Sequence, residues 1–290
     1  MIVRVLGYVG FFAASFVVST YLTFPWDTVK ERALQAASKT LGRRITASSL
    51  SPSWLTGVEA TEVEVEMGPD AEPLAFDTFF ARAHVFDFVT GGYGGRVSAP
   101  LGGGEIEGSV SGSEKRLAVD AEIRELRLAL VPALRAASGL ALSGTVQLEA
   151  DLDLGLEDPK TSSGGIHLVA QGLETLDGSD AAFPVPALVL GDLDWDLPVE
   201  DGKLIIRNQR LDGPSLSLVV DGEIVLSNPL SRSLVNLTLK FKPTPQLLEA
   251  EPTIGLLLNN LNRYKAPDGF YGYQMSGTVK RPRFTPRRPS

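Results

Sequence analysis

Residues 142–156, LSGTVQLEADLDLGL, alternate apolar and polar side chains with a period of two. Only an extended backbone sends successive side chains to opposite sides, so the pattern predicts a half-buried β-strand. The same alternation returns along the chain. In residues 58–67, Val63, Val65 and Met67 point one way while Glu62, Glu64 and Glu66 point the other. The segments EIEGSVSGS (105–113) and LAVDAEIRELRLAL (117–130) follow it, with a hairpin turn at 111–115 and two or three strands between 96 and 128. KLIIRNQRLDG, PSLSLVVDGEIVLS and LVNLTLKFKP give three successive strands over 203–243, separated by Gly or Asn-Pro turns. Further strands are expected at 79–85, 165–171, 184–190, 192–197 and 271–280. Turn signals spaced about 8–12 residues apart suit antiparallel strands in a sandwich or a curved sheet. The fold class expected is mainly β with a few short helices.

Residues 5–24, VLGYVGFFAASFVVSTYLTF, break this grammar because they carry no charge at all. As a helix the run covers roughly 30 Å, the thickness of a bilayer's hydrocarbon core. Val5, Leu6, Phe11, Phe12, Phe16, Val17, Val18, Leu22 and Phe24 supply the apolar surface, and Arg4 the flanking positive charge. A cleaved signal peptide would have an apolar region of about 7–15 residues and a small-x-small site. Ala14-Ser15-Phe16 and Ser19-Thr20-Tyr21 fit that site poorly. A buried core helix would show a polar stripe, which this run lacks. The expectation is a transmembrane anchor over 1–25 with a short cytoplasmic end, contacting the lipid bilayer directly.

Residues 27–41, DTVKERALQAASKTL, read as an amphipathic helix within a 26–42 unit, with Asp27 as its cap and Ala33, Leu34, Ala37 and Leu41 on one face. A short helix is expected at 131–138, and one or two more within 243–265, interrupted at Pro252. Residues 43–280 then form the β-rich domain, with 157–165 as its one candidate seam. Residues 281–290 form a basic, Pro-rich tail.

The chain has 290 residues, no cysteine and a formal net charge of −8. Thiol chemistry and disulfides are excluded, and the acidic balance argues against a nucleic-acid partner. His84 and His167 each sit in a strand without companions at metal-ligand spacing. Asp192, Asp194 and Asp196 resemble half a calcium loop, yet they alternate with Leu193, Trp195 and Leu197 as a strand does. The glycine runs 91–95 and 102–104 lack the lysine and the strand–helix crossover of phosphate-binding loops and read as turns. No nucleophile elbow is present. No catalytic residue, cofactor site or metal site is expected. Lys280, Arg281, Arg283, Arg287 and Arg288 stand out as a basic cluster suited to an acidic partner or to lipid headgroups; the alternative is a solvated tail whose prolines stop strand addition.

The order of elements resembles a known family. The segments ITASSLSPSWLTGVEATEVEV, LALVPALRAASGLALSGTVQLEADLDL, LVVDGEIVLSNPLSRSLVNLTLKFKP and the closing MSGTVKRPRFTP are together similar to the type II secretion system protein N family. More loosely, they resemble the AsmA-like membrane-anchored proteins. The first resemblance implies a single-pass inner-membrane protein with its bulk in the periplasm. It also implies a non-enzymatic accessory role in protein secretion, with other secretion-system components as partners. The AsmA-like resemblance implies a lipid-handling or envelope-maintenance role, with an apolar β-groove and phospholipid as the partner.

Overall fold

The computed structural model describes residues 26–41, 43–53, 57–66, 72–84, 91–138, 140–176 and 186–289. Helix α1 (Trp26–Leu41) precedes two short edge strands, β1 (Ile45–Thr46) and β2 (Ser49–Ser53). Both pair with β3 (Gly57–Val65). From there the chain runs as an antiparallel meander. Its strands are β4 (Leu74–Ala83), β5 (Tyr93–Leu101), β6 (Gly104–Gly112), β7 (Arg116–Arg127), β8 (Leu142–Gly155), β9 (Ser163–Thr175), β10 (Leu188–Glu200), β11 (Lys203–Asp212), β12 (Leu216–Val225), β13 (Leu234–Pro243), β14 (Tyr271–Thr278) and β15 (Arg281–Pro286). Every strand from β3 onward pairs with its neighbour in sequence, giving one 15-stranded sheet. The mainly-β expectation holds. The sandwich alternative does not, because the strands form one hydrogen-bonded sheet, with β2 alone off its main path.

Four sequence readings change. Of the expected strand at 184–190, residues 188–190 belong to the same strand as 192–197, β10, and 184–185 lie outside the described residues. The apparent break is a register shift around Gly191, whose φ of 90° suits glycine. Strand β4 begins at Leu74, five residues before the expected start. In β3 strict alternation fails: Ala60 and Val63 are both buried, three residues apart, because Glu62 adopts a φ of 49°. The supposed tail is strand β15, paired with β14 from Arg281 to Pro286. Met67 lies outside the described residues. Of the 157–165 stretch, residues 157–162 lie in the connection between β8 and β9 and 163–165 begin β9; the two strands are hydrogen-bonded to each other over most of their length.

The register places the helices at one end of the sheet. Helix α2 (Pro132–Ser138) joins β7 to β8, while α3 (Pro245–Ala250) and α4 (Pro252–Asn259) join β13 to β14. At this end Leu126, Val131 and Ala133 form a small buried cluster against Leu74, Leu101 and Ile123. Thr244 caps α3 and also donates to the Pro214 carbonyl at 2.7 Å, tying the helix to the β11–β12 turn. At α1, Lys30 donates to the Ser48 carbonyl, and Ser38 Oγ accepts from the Ile45 N–H at 3.0 Å.

The opposite end carries short turns. Asp201 and Gly202 both take positive φ, the two-residue turn that matches strand twist. The β8–β9 and β12–β13 connections repeat one device: a Pro-initiated 3₁₀ turn ending at a buried serine. Ser162 Oγ accepts from the Gly155 N–H at 3.0 Å, and Ser233 Oγ from the Ser227 N–H at 3.1 Å. Asn228 donates to the Leu156 carbonyl at 3.0 Å and links the two connections.

Candidate functional site

The chemistry of this chain resides in the two faces of its sheet. Directly opposed residues on antiparallel strands share a face, so the register can be followed across many strands. One row runs Ala99–Ile106–Ile123–Leu148–Leu168–Trp195 from β5 to β10. A second runs Gly95–Val110–Val119–Leu152–Gly164–Val199 over the same strands. On β11 to β14 the same face continues as Ile206–Gly222–Leu237–Met275 and Leu211–Leu218–Phe241–Tyr271. These rows contain no charged residue.

This apolar face is buried to different degrees along its length. Across β10–β13 it closes on itself: Leu197, Ile206, Val220, Val235 and Leu237 form the largest buried cluster, with Trp195, Ile224 and Met275 packed on it. Each such side chain taken fully from water stabilises the fold by about 1.5–3 kcal/mol. Toward β5 and β6 it opens. Tyr93, Val97 and Val110 are 38–40% exposed, and Val119, Leu148, Leu152 and Leu168 are only half-buried. No broad helix contact with the middle of these strands is made among the described residues. At the helical end, Phe241 stacks on Tyr271 with ring centroids 5.6 Å apart.

The other face is polar and strongly patterned. Glu107, Glu122, Glu149, His167 and Asp196 stand directly opposite one another across β6 to β10. Asp120 and Asp151 face each other in the next row. They line a shallow depression of about 1120 Å³. Like charges in direct opposition are unfavourable, and the structure offsets them locally. Arg124 chelates Glu122 through two nitrogens and lies 3.6 Å from Glu107 and 3.8 Å from Glu105. Its hydrogen bond holds the Glu122 carboxyl below the usual range. His167 Nε2 is 2.8 Å from Asp194 Oδ1. That bond, with Asp196 and Glu149 adding attraction and desolvation opposing, raises the imidazole above its ordinary value of 6.5.

The residues singled out from the sequence fall as follows. Asp192, Asp194 and Asp196 do not converge: Asp192 accepts from the Gly172 N–H at 2.7 Å while Asp194 holds His167. Among the described residues no group of three His, Asp or Glu side chains is arranged to hold a metal. His84 lines a separate depression with Arg82 and Arg96. Of the basic cluster, Arg281 and Arg283 lie on β15 opposite Thr278 and Ser276, on the polar face. Arg287 donates to Gln274 at 3.2 Å, and Lys280 and Arg288 are exposed. The anchor residues Val5, Leu6, Phe11, Phe12, Phe16, Val17, Val18, Leu22 and Phe24 lie outside the described residues. No helix among the described residues is long and apolar enough to cross a membrane. The opposed acidic row and its Arg124 counter-ion escape a reading of the sequence, since alternation gives the face of a residue but not its partner on the next strand.

No family model, curated protein or solved structure matches this chain.

Proposed function

We propose that the chain is a non-enzymatic, membrane-anchored scaffold that handles lipid acyl chains on the open apolar face of its sheet. This reading follows the AsmA-like resemblance. The observation that carries it is the continuity of that face from β5 to β14, together with its half-exposed state over β5–β9. Contiguous apolar surface left to solvent is unfavourable unless something apolar uses it. Each methylene transferred from water onto such a face is favourable by up to about 0.8 kcal/mol. Placement at the inner membrane, with residues 5–24 spanning it once and the sheet in the periplasm, belongs to the same proposal.

The test is lipid analysis of the full-length chain purified from membranes. Phospholipid should co-purify in stoichiometric amount and fall sharply in a Val119→Asp/Leu152→Asp variant whose circular dichroism is unchanged. Lipid content unaffected by those substitutions would overturn the reading. The type II secretion resemblance supports a second reading, an accessory assembly component with other secretion proteins as partners. The charge-patterned polar face is the surface it would use. In that case deleting the chain should lower secretion of the apparatus's substrates while leaving envelope lipid composition unchanged.

A further inference from the structure

We propose that the C-terminal edge of the sheet, centred on β15, is a docking surface for anionic bilayer headgroups. This role is independent of whether the apolar face carries acyl chains.

Charge is segregated along this chain. Residues 234–290 hold nine Lys and Arg against three acids, which leaves 18 against 32 for the remainder. Strands β13, β14 and β15 contain no carboxylate at all. At the outer edge, Lys280, Arg281, Arg283, Arg287 and Arg288 are all exposed. Among these cations stand two exposed apolar side chains, Phe284 at 57% and Val279 at 49%. Phe284 stands opposite Met275 on the apolar face, and Arg281 and Arg283 stand on the polar face of the same edge strand. An edge-on approach to anionic lipid therefore lets the ring enter the headgroup–acyl boundary while the flanking cations meet phosphate.

The backbone of β15 argues against the usual occupant of a free edge, another strand. Arg287 N–H donates inward to the Gly272 carbonyl at 2.9 Å, so odd-numbered positions turn their amides toward β14. Positions 282, 284 and 286 therefore face outward, and two of the three are prolines without an N–H. A second strand would find one donor where it needs three. A phosphate-rich surface needs only the side chains.

The absence of cysteine allows a direct test, since Val279→Cys gives a single attachment point for an environment-sensitive fluorophore. The full-length labelled chain, held in neutral phosphatidylcholine nanodiscs, is titrated with vesicles of phosphatidylcholine alone or containing phosphatidylglycerol. Emission should rise and shift to the blue with phosphatidylglycerol vesicles only. Changing Arg281, Arg283 and Arg287 together to Gln should lower the apparent partition coefficient by about 100-fold. Lys280→Gln with Arg288→Gln, both outside β15, should lower it about 30-fold and guards against a folding defect in the first variant. An equal response to neutral vesicles, no response to either, or insensitivity to both sets of substitutions would overturn the proposal. So would a stronger response to soluble polyglutamate than to phosphatidylglycerol vesicles, which would reassign the edge to an acidic protein.

Discussion

The indole N–H of Trp195 on β10 donates to the Arg210 carbonyl on β11 at 2.9 Å, across a seam where the backbone ladder has opened. Between these two strands only Val199–Leu204 and Glu200–Lys203 are directly paired. Beyond them the irregularity between Ile206 and Gln209 carries β11 away. Gln209 returns a second stitch, donating to the Asp196 carbonyl at 3.0 Å. Side chains here replace the backbone bonds that a regular strand pair would have made. Trp195→Phe keeps most of the apolar packing and removes the donor. It should cost about 0.5–1.5 kcal/mol in urea denaturation and raise amide exchange at 207–211 more than elsewhere.

The two buried serines at the turn end should behave alike. Ser162 and Ser233 are 3% and 2% exposed, and each satisfies a backbone amide six or seven residues earlier. Ser162→Ala and Ser233→Ala should each destabilise the sheet by about 1–3 kcal/mol, the cost of a buried unsatisfied donor. Replacement by Gly gives no relief, because the acceptor hydroxyl is still missing. Chemical denaturation of the two single variants and the double variant checks the size and the additivity.

His167 gives stability a defined pH dependence. Its pKa is raised in the folded chain, first by Asp194 and further by Asp196 and Glu149, against desolvation. A raised folded value means that the contribution is fully present below the ordinary value of 6.5 and is lost as pH climbs through the folded value. Wild-type stability should therefore fall over that interval relative to His167→Gln, whose profile should be flatter. Denaturation midpoints across the interval, with the His167 ring followed by NMR, test this. A ring titrating below its ordinary value would contradict it.

Arg124 should show the opposite sign. Its hydrogen bonds depress the Glu122 pKa, so their stabilisation is present above the unfolded carboxylate value near 4.5 and disappears as pH falls through the folded one. Arg124→Gln leaves Glu105, Glu107 and Glu122 opposed without their counter-ion. The variant should be less stable than wild type at neutral pH, and the gap should close under acid and narrow with added salt. A gap independent of both would assign Arg124 a packing role instead.

The two-residue alternation makes most strands legible, because period-2 polarity is imposed by the backbone itself. Strand β8 and the β11–β13 run match their sequence pattern nearly residue for residue. Three features are hidden, each for a physical reason. Gly191 looks like a break because a bulge and a turn use the same residue type. Arg281–Pro286 looks like a tail because its prolines and charges belong to a protected edge strand, whose outer side has no partner to satisfy. The Glu107–Glu122–Glu149–His167–Asp196 row depends on register, which is set by turns and bulges between strands. The apolar face is readable as a face on each strand, whereas its openness over β5–β9 depends on where the helices fall.

Lipid access to that face is the central claim, and photo-crosslinking in membranes reports it most directly. With benzoylphenylalanine placed singly at Val119, Leu148 or Leu168 of the full-length chain, irradiation should yield phospholipid adducts detectable by mass spectrometry. The same group at Ser109 on β6 or Asp151 on β8, on the polar face, should yield none. Adducts absent from all three apolar positions, or equally frequent on both faces, would contradict the claim.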